Sequence, residues 1–149
     1  MSRLDNVIIF IPSLNPDEKL LSTIQQIREA GFDNIVLVDD GSREDTRGYF
    51  DKAAEQYGCI VLRHYINLGK GRALKTAFNY ILQTYPDCEG VVTVDADGQH
   101  KAEDVVRCAR EMLDHPEALV IGSRDFHQEN VPFRSKFGNI LTRNFFHVL

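Results

Sequence analysis

Short apolar runs alternate with helical patterns along most of the 149-residue chain. Valine and isoleucine dominate the runs, as in strands that are buried on both faces. The runs are Val7–Ile11, Ile35–Val38, Ile60–Leu62, Val91–Val94 and Leu119–Ile121. Between them, apolar residues recur at helical spacing, with Gly31 as an expected C-cap and Ser42 as an expected N-cap. This repetition implies right-handed crossovers, so we expect one α/β, Rossmann-like domain with a mostly parallel sheet and helices on both faces.

Two of the runs lead directly into clustered carboxylates. Asp39 and Asp40 follow the second run, and Asp95 and Asp97 follow the fourth. If the fourth strand continued through Asp95 and Asp97, both side chains would point to one face and repel by roughly 4 kcal/mol at about 4 Å and an effective dielectric near 20. Such a pair needs a proton, a cation or a metal, although a solvated Asp-Gly turn is an alternative. Ligands of parallel sheets bind beyond the carboxyl ends of the strands, so we expect one shared crevice.

The first run leads into Pro12-Ser13-Leu14-Asn15 and not into G-x-G-x-x-G, which argues against NAD or FAD. The segment Asn67–Arg72 either shapes a turn or brings Lys70 or Arg72, with a helix N-terminus, near a diphosphate. If carboxylates and a metal replace a cradle of backbone amides, the substrate carries a diphosphate. Asp97 is then a metal ligand, and Asp95 binds the metal or a ribose hydroxyl.

Three further residues follow predicted strand ends and are candidates for the same site. Gln99 and His100 can reach the same site as Asp97, although a lone histidine is more often structural. Arg124 follows the fifth run and is either a surface arginine or a group that neutralises phosphate charge.

Composition narrows the class of protein. The net charge of −5 argues against a nucleic-acid partner. Cys59, Cys88 and Cys108 are widely spaced, which indicates unpaired thiols in a reducing compartment, with neither a zinc site nor a disulfide framework. The N-terminus lacks the pattern of a secretory signal, and no apolar stretch is long enough to span a bilayer. We therefore expect a cytoplasmic protein.

The C-terminal segment 131–149 differs from the rest of the chain. It contains no Asp or Glu, and its three basic residues stand among apolar and aromatic side chains. It is either a terminal core helix or a segment that contacts a membrane surface carrying anionic lipid. The chain also stops without a helix-stop signal, so we expect it to be a piece of a longer protein.

Five motifs, taken together, resemble glycosyltransferase family 2. They are I-P-x-x-N from Ile11, V-D-D-G-S from Val38, N-x-G-K-G-x-A from Asn67, D-A-D-G-Q-H from Asp95 and G-S-R from Gly122. Their order and spacing are similar to the dolichol-phosphate mannosyltransferase-like, polyprenyl-phosphate branch, and they cover nearly the whole chain. The resemblance implies a GT-A fold, with residues 1–149 forming the nucleotide-sugar-binding part of the catalytic domain and the acceptor part missing.

The resemblance also implies a reaction. A UDP- or GDP-sugar would be the donor, a polyprenyl phosphate or a saccharide the acceptor, and Mg²⁺ or Mn²⁺ the cofactor. The sugar would be transferred with inversion, at the cytoplasmic face of the membrane and in cell-envelope biosynthesis.

Carried over by residue, the resemblance places Pro12 and Asn15 in the nucleotide pocket and makes Asp40 the contact to the base. Asp95 and Asp97 become the D-x-D pair, with both carboxylates and Gln99 at the metal. These three residues and an arginine then form the catalytic set.

The arginine of that set is Arg124, which with Arg134 would face the sugar phosphate or the acceptor phosphate. Pro16 stands where the family often has Glu, so one contact to the nucleotide is expected to be lost. Family members also continue beyond this endpoint with groups that bind the acceptor.

Two other functions remain open from the sequence. A strand followed by D-x-D-G also fits a haloacid-dehalogenase-type phosphatase with Asp95 as nucleophile. That motif normally lies near the N-terminus and needs a later Lys and an acidic pair, whereas only Lys101 and Lys136 follow it here. The third possibility is a nucleotide-binding fragment without catalytic activity.

Overall fold

A computed structural model of the protein describes residues 4–122 and contains one parallel four-stranded sheet in the order β3-β2-β1-β4. The strands are β1 (Val7–Ser13), β2 (Asn34–Asp40), β3 (Ile60–His64) and β4 (Gly90–Thr93). The helices are α1 (Glu18–Glu29), α2 (Gly48–Tyr57), α3 (Lys70–Thr84) and α4 (Ala102–Asp114), with a 3₁₀ turn at Glu44–Thr46. The expected α/β, Rossmann-like fold is confirmed.

The central strand β1 explains how the layers form. Its side chains alternate between two cores, with Ile9 in the core under α1, α2 and α4, and Phe10 in the core under α3. Both residues are fully buried. Because the side chains of a strand alternate with a period of two, an uninterrupted apolar run supplies both faces at once. In the described part of the chain, three helices therefore cover one face of the sheet and α3 covers the other.

Two local expectations were wrong. Ser42 does not cap a helix, since Arg47 precedes α2, and the Ser42 amide instead donates a hydrogen bond to the buried carboxylate of Asp39. The segment Leu119–Ile121 forms no strand, and its two end residues are 86% and 76% exposed. A short apolar run becomes a strand only when a neighbouring strand supplies its hydrogen bonds, and this segment has none among residues 4–122.

The end of α1 and the state of the cysteines agree with expectation. Gly31 follows the C-cap Ala30 with a φ of +97°, which is the left-handed conformation that favours glycine after a helix. The three cysteines are unpaired, and Cys59 is buried.

Candidate functional site

The segments that follow β1, β2 and β3 are held together at the carboxyl edge of the sheet. The backbone N–H of Asn15 donates to Ser42 Oγ at 2.8 Å. The backbone N–H of Arg43 donates to the side-chain oxygen Oδ1 of Asn15, also at 2.8 Å. A Cβ atom on Gly41 would lie 2.3 Å from the carbonyl carbon of Ile66. The backbone after β3 therefore passes directly over the end of β2. This edge is where a parallel α/β sheet binds its ligands.

The two carboxylates of β2 lie within the strand and not in the turn after it. Asp39 is paired with Arg63, and Asp40 with His64, in the register between β2 and β3. Asp39 is fully buried and accepts hydrogen bonds from the Ser42 amide at 2.8 Å and from Arg63 Nε at 2.9 Å. It therefore fixes the turn after β2 and is not exposed to a ligand.

Asp40 is the second buried carboxylate, and it is bonded to three donors. Its Oδ1 accepts from His64 Nδ1 at 2.6 Å and from the Leu68 amide at 3.0 Å, and its Oδ2 accepts from the Gly69 amide at 2.8 Å. Burial disfavours the ionised form, but the hydrogen bond from His64 and those from the two amides outweigh it and lower the pKa of Asp40. Asp40 is thus held as a carboxylate directly beside the N-terminus of α3.

Lys70 joins this N-terminus to the D-x-D motif. It is the first residue of α3, and its Nζ lies 2.6 Å from Asp95 Oδ1. His100 Nε2 lies 3.7 Å from the other oxygen of Asp95. Partial burial disfavours ionisation of Asp95, but Lys70 and, to a smaller extent, His100 outweigh it, so the pKa of Asp95 is lowered. The Lys70 and Asp95 side chains are 60% and 43% exposed, so this ion pair is open to solvent.

The D-x-D motif lies in a turn and not on a strand face, which corrects the sequence-based expectation. β4 ends at Thr93, and the Val94 amide makes one more bond to the Phe10 carbonyl at 2.9 Å. The side chain of Asp97 then accepts a hydrogen bond from the backbone N–H of Gln99 at 2.9 Å. Gly98 has a φ of +73°, which a turn demands and a strand does not allow. The alternation of a strand therefore does not set the directions of Asp95 and Asp97.

The donor set fits a metal that is shared with a substrate. No group of three or more His, Cys, Asp or Glu residues within 4–122 is placed to hold a metal ion by itself. One or two carboxylates completed by water and by the phosphates of a substrate are, however, the usual surroundings of Mg²⁺ in proteins. Asp95 and Asp97 supply carboxylate oxygens of this kind, and both residues are accessible to solvent.

The predicted site residues divide into three groups. Asp40, Lys70 and Asp95 lie close together, linked through the Gly69 amide and the Lys70 ammonium. Asp97 and Gln99 belong to the adjoining turn. Pro12 and Asn15 lie one loop away. Pro12 is half-buried opposite Val38, and the Oδ1 of Asn15 already accepts the Arg43 amide.

Sequence reasoning missed His64 and Thr76. His64 is buried, and its Nε2 lies 2.8 Å from Thr76 Oγ1 on α3. The available signal was its position two residues after the run Ile60–Leu62, at the same edge as the other polar strand ends.

Three predictions concern parts of the chain outside the described residues, namely Arg124, Arg134 and the segment 131–149. Between residues 4 and 122, no helix has the length and apolar character needed to cross a bilayer.

Comparison with known proteins identifies the family of this chain. A family model described as Glycosyl transferase family 2 matches residues 8–147. An uncharacterized protein of Methanocaldococcus jannaschii is 33% identical over 138 residues, which cover 91% of this chain and 54% of that protein. An undecaprenyl-phosphate mannosyltransferase of Micrococcus luteus is 35% identical over 120 residues, covering 79% of this chain and 48% of that protein.

A more distant relative is the UDP-N-acetylglucosamine–dolichyl-phosphate N-acetylglucosaminyltransferase of Methanococcus voltae. It is 26% identical over 150 residues, covering 90% of this chain and 59% of that protein. The chain thus spans about half the length of the curated relatives it matches. Because the family model covers almost the entire sequence, the chain belongs to glycosyl transferase family 2.

Proposed function

We propose that the protein binds a nucleoside-diphosphate sugar at the carboxyl edge of its sheet and transfers the sugar, with inversion, to the phosphate of a polyprenyl lipid. One observation supports this donor site most directly. The ammonium of Lys70 contacts Asp95 at the N-terminus of α3, and the backbone N–H of the preceding residue donates to Asp40. Family membership supports transferase activity, and two of the relatives are named for a lipid phosphate, dolichyl phosphate in one and undecaprenyl phosphate in the other.

The charges of the edge suit a diphosphate. α3 has 15 residues, and its N-terminal dipole favours an anion close to Lys70. Mg²⁺ or Mn²⁺, held by Asp95 and Asp97 with Gln99 beside it, would act as a Lewis acid on the departing nucleoside diphosphate. Lys70 needs only to exchange one anionic oxygen for another, because its present pair with Asp95 is solvent-accessible.

The base of the nucleotide would lie towards β1 and β2. Asp40 accepts three hydrogen bonds. A carboxylate has two oxygens and about four lone-pair sites, so Asp40 has the capacity to accept one more hydrogen bond, from a uracil or guanine N–H. Pro12 and Asn15 would line this side of the pocket. UDP- and GDP-sugars therefore both remain candidate donors.

The proposed transfer step needs no strong base. An oxygen of the acceptor phosphate forms a bond to C1 of the sugar, while the bond from C1 to the diphosphate breaks and its electrons leave with the nucleoside diphosphate. The acceptor is already an anion, so no proton has to be removed from it. Arg124 and Arg134 are proposed to face the phosphates. We propose that the reaction takes place at a membrane, at its cytoplasmic face, with segment 131–149 in contact with the membrane surface.

Donor binding can be tested by titrating the intact protein with UDP and GDP, with and without Mn²⁺, in a calorimeter. We expect binding that depends on the metal and that weakens by at least about tenfold in Asp95→Asn and Asp97→Asn. Asp33→Asn is the matched control, because Asp33 precedes β2 at the opposite end of the sheet and pairs with Arg28 at the surface. Absence of metal-dependent nucleotide binding by the wild-type protein would refute the proposal.

The acceptor is tested separately with a radiolabelled nucleotide sugar. We expect label to pass to a short-chain polyprenyl phosphate and not to free saccharides. Transfer to saccharides alone would overturn the lipid acceptor. Tight nucleotide binding without any transfer would instead identify a nucleotide-binding module.

A further inference from the structure

The imidazole of His64 is fixed on both sides, although it lies outside the D-x-D motif. Its Nδ1 lies 2.6 Å from Asp40 Oδ1, and its Nε2 lies 2.8 Å from Thr76 Oγ1. The side chain is only 9% exposed. Because Asp40 is a carboxylate, it accepts, and the hydrogen on His64 Nδ1 is donated to it. The ring therefore has one defined orientation between β2 and α3.

These contacts continue to the phosphate side of the edge. Asp40 also accepts the amides of Leu68 and Gly69, the two residues directly before α3. The next residue is Lys70, whose ammonium reaches Asp95. A continuous path of hydrogen bonds and one backbone step thus leads from Thr76 through His64 and Asp40 to Lys70.

α3 packs on the sheet through apolar side chains that vary in size. Ala73, Ala77 and Ile81 are buried, and Leu74 and Tyr80 pack against the same core while partly buried. None of these contacts is directional, whereas a hydrogen bond has a preferred distance and angle. The hydrogen bonds of His64 contact α3 at two separate points, at its N-terminus through Asp40 and nearly two turns later at Thr76. A buried polar network whose members are satisfied makes such a position more rigid and more specific.

From this geometry we infer that His64 is a positioning residue for donor binding: it holds Asp40 and the start of α3 so that Lys70 meets the diphosphate. The consequence for affinity rests on the proposed function. The positioning of the loop before α3 depends on contacts within the protein, so it can be tested without a ligand. In this arrangement the main role of Asp40 is to hold the loop before α3, and a contact to a nucleobase is an additional role.

The variants must separate the hydrogen bond from the shape of the side chain. Thr76→Val removes the hydroxyl and keeps the branched shape, whereas Thr76→Ser keeps the hydroxyl. His64→Ala removes the ring. His115→Ala is the matched control, because His115 lies at the C-terminal end of α4 and is exposed.

Two readouts are compared in the intact protein. Amide hydrogen exchange measured by NMR at Leu68 and Gly69 reports the positioning, and titration with UDP or GDP plus Mn²⁺ reports its effect. We expect Thr76→Val to accelerate exchange at both amides and to weaken nucleotide binding, each by about fivefold, with a larger effect in His64→Ala. Thr76→Ser and His115→Ala should match the wild type.

The outcomes decide the inference independently of the proposed function. If exchange at Leu68 and Gly69 is unchanged in Thr76→Val and in a folded His64→Ala protein, the positioning role is wrong, whatever binds. If exchange accelerates at these two amides but nucleotide affinity stays at the wild-type value, the role in donor binding is wrong. If the wild type binds no nucleotide, the proposed function fails, whereas accelerated local exchange would still establish the contact from His64 to α3.

Discussion

Gly41 is the position at which one methyl group should damage the edge most. Its φ of +78° is left-handed, and an added Cβ would lie 2.3 Å from the carbonyl carbon of Ile66 and 2.4 Å from the amide nitrogen of Asn67. Both neighbours are backbone atoms, so no side chain can rotate away. To regain ordinary contact, the segment after β3 has to move by about 1 Å.

The magnitude follows from the contacts of that segment. An alanine in the left-handed region costs about 1–2 kcal/mol relative to glycine. A shift of about 1 Å also breaks or weakens the hydrogen bonds from Leu68 and Gly69 to Asp40, and a bond to a charged group contributes roughly 1.5–3 kcal/mol. After partial relaxation, we expect Gly41→Ala to lower the free energy of unfolding by about 3–5 kcal/mol, a large share of the 5–15 kcal/mol typical of a domain.

Urea unfolding followed by circular dichroism measures this loss, and Gly31→Ala provides the matched control. Gly31 also has a positive φ, of +97°, but an added Cβ would meet nothing within 4 Å. The control therefore carries the backbone strain alone, about 1–2 kcal/mol. Failure of Gly41→Ala to fold, with Gly31→Ala folded, agrees with the reasoning. Losses within about 0.5 kcal/mol of each other would refute it, since the close approach to Ile66 and Asn67 would then contribute nothing.

Two further predictions concern charge. Lys70→Met should change the free energy of unfolding by no more than about 1 kcal/mol, because its pair with Asp95 is solvent-exposed, yet it should weaken UDP or GDP binding measured by calorimetry. A large loss of stability, or unchanged affinity, would contradict this. Burial raises the pKa of the Cys59 thiol from its ordinary value of 9.0 to about 11. Its contribution to stability is therefore fully present below pH 9 and declines towards pH 11, by up to about 2–3 kcal/mol. Urea unfolding between pH 8 and pH 11 should show this decline in the wild type and a flatter one in Cys59→Ala; equal slopes would contradict the assignment.

The layers of the fold could be predicted because the β1 run has to be apolar on both faces. Ile9 and Phe10 alternate between two cores, and a parallel strand with helices on both sides requires that pattern. The meeting of the polar strand ends could be predicted for a similar reason, since parallel strands end at one edge. Asp40 and the Lys70–Asp95 pair do lie at that edge.

The detailed contacts of the site depend on pairing that no local pattern reveals. β2 continues through Asp39 and Asp40 because β3 supplies partners for both, whereas β4 ends before Asp95. His64 acquires its importance from Asp40 and Thr76, which are 24 and 12 residues away in the chain. Strand length and long-range partners are tertiary properties, so similar-looking acidic strand ends took different conformations.

That difference gives the two sides of the proposed donor site unequal stiffness. Asp40 is part of a hydrogen-bonded ladder, whereas Asp97 stands on a turn beyond the last residue of β4. Backbone outside a ladder can be displaced at lower free energy than backbone inside one. We therefore expect the nucleobase end of a ligand to meet a rigid wall, and the pyrophosphate end to meet a wall that adapts to the radius of whichever cation accompanies it.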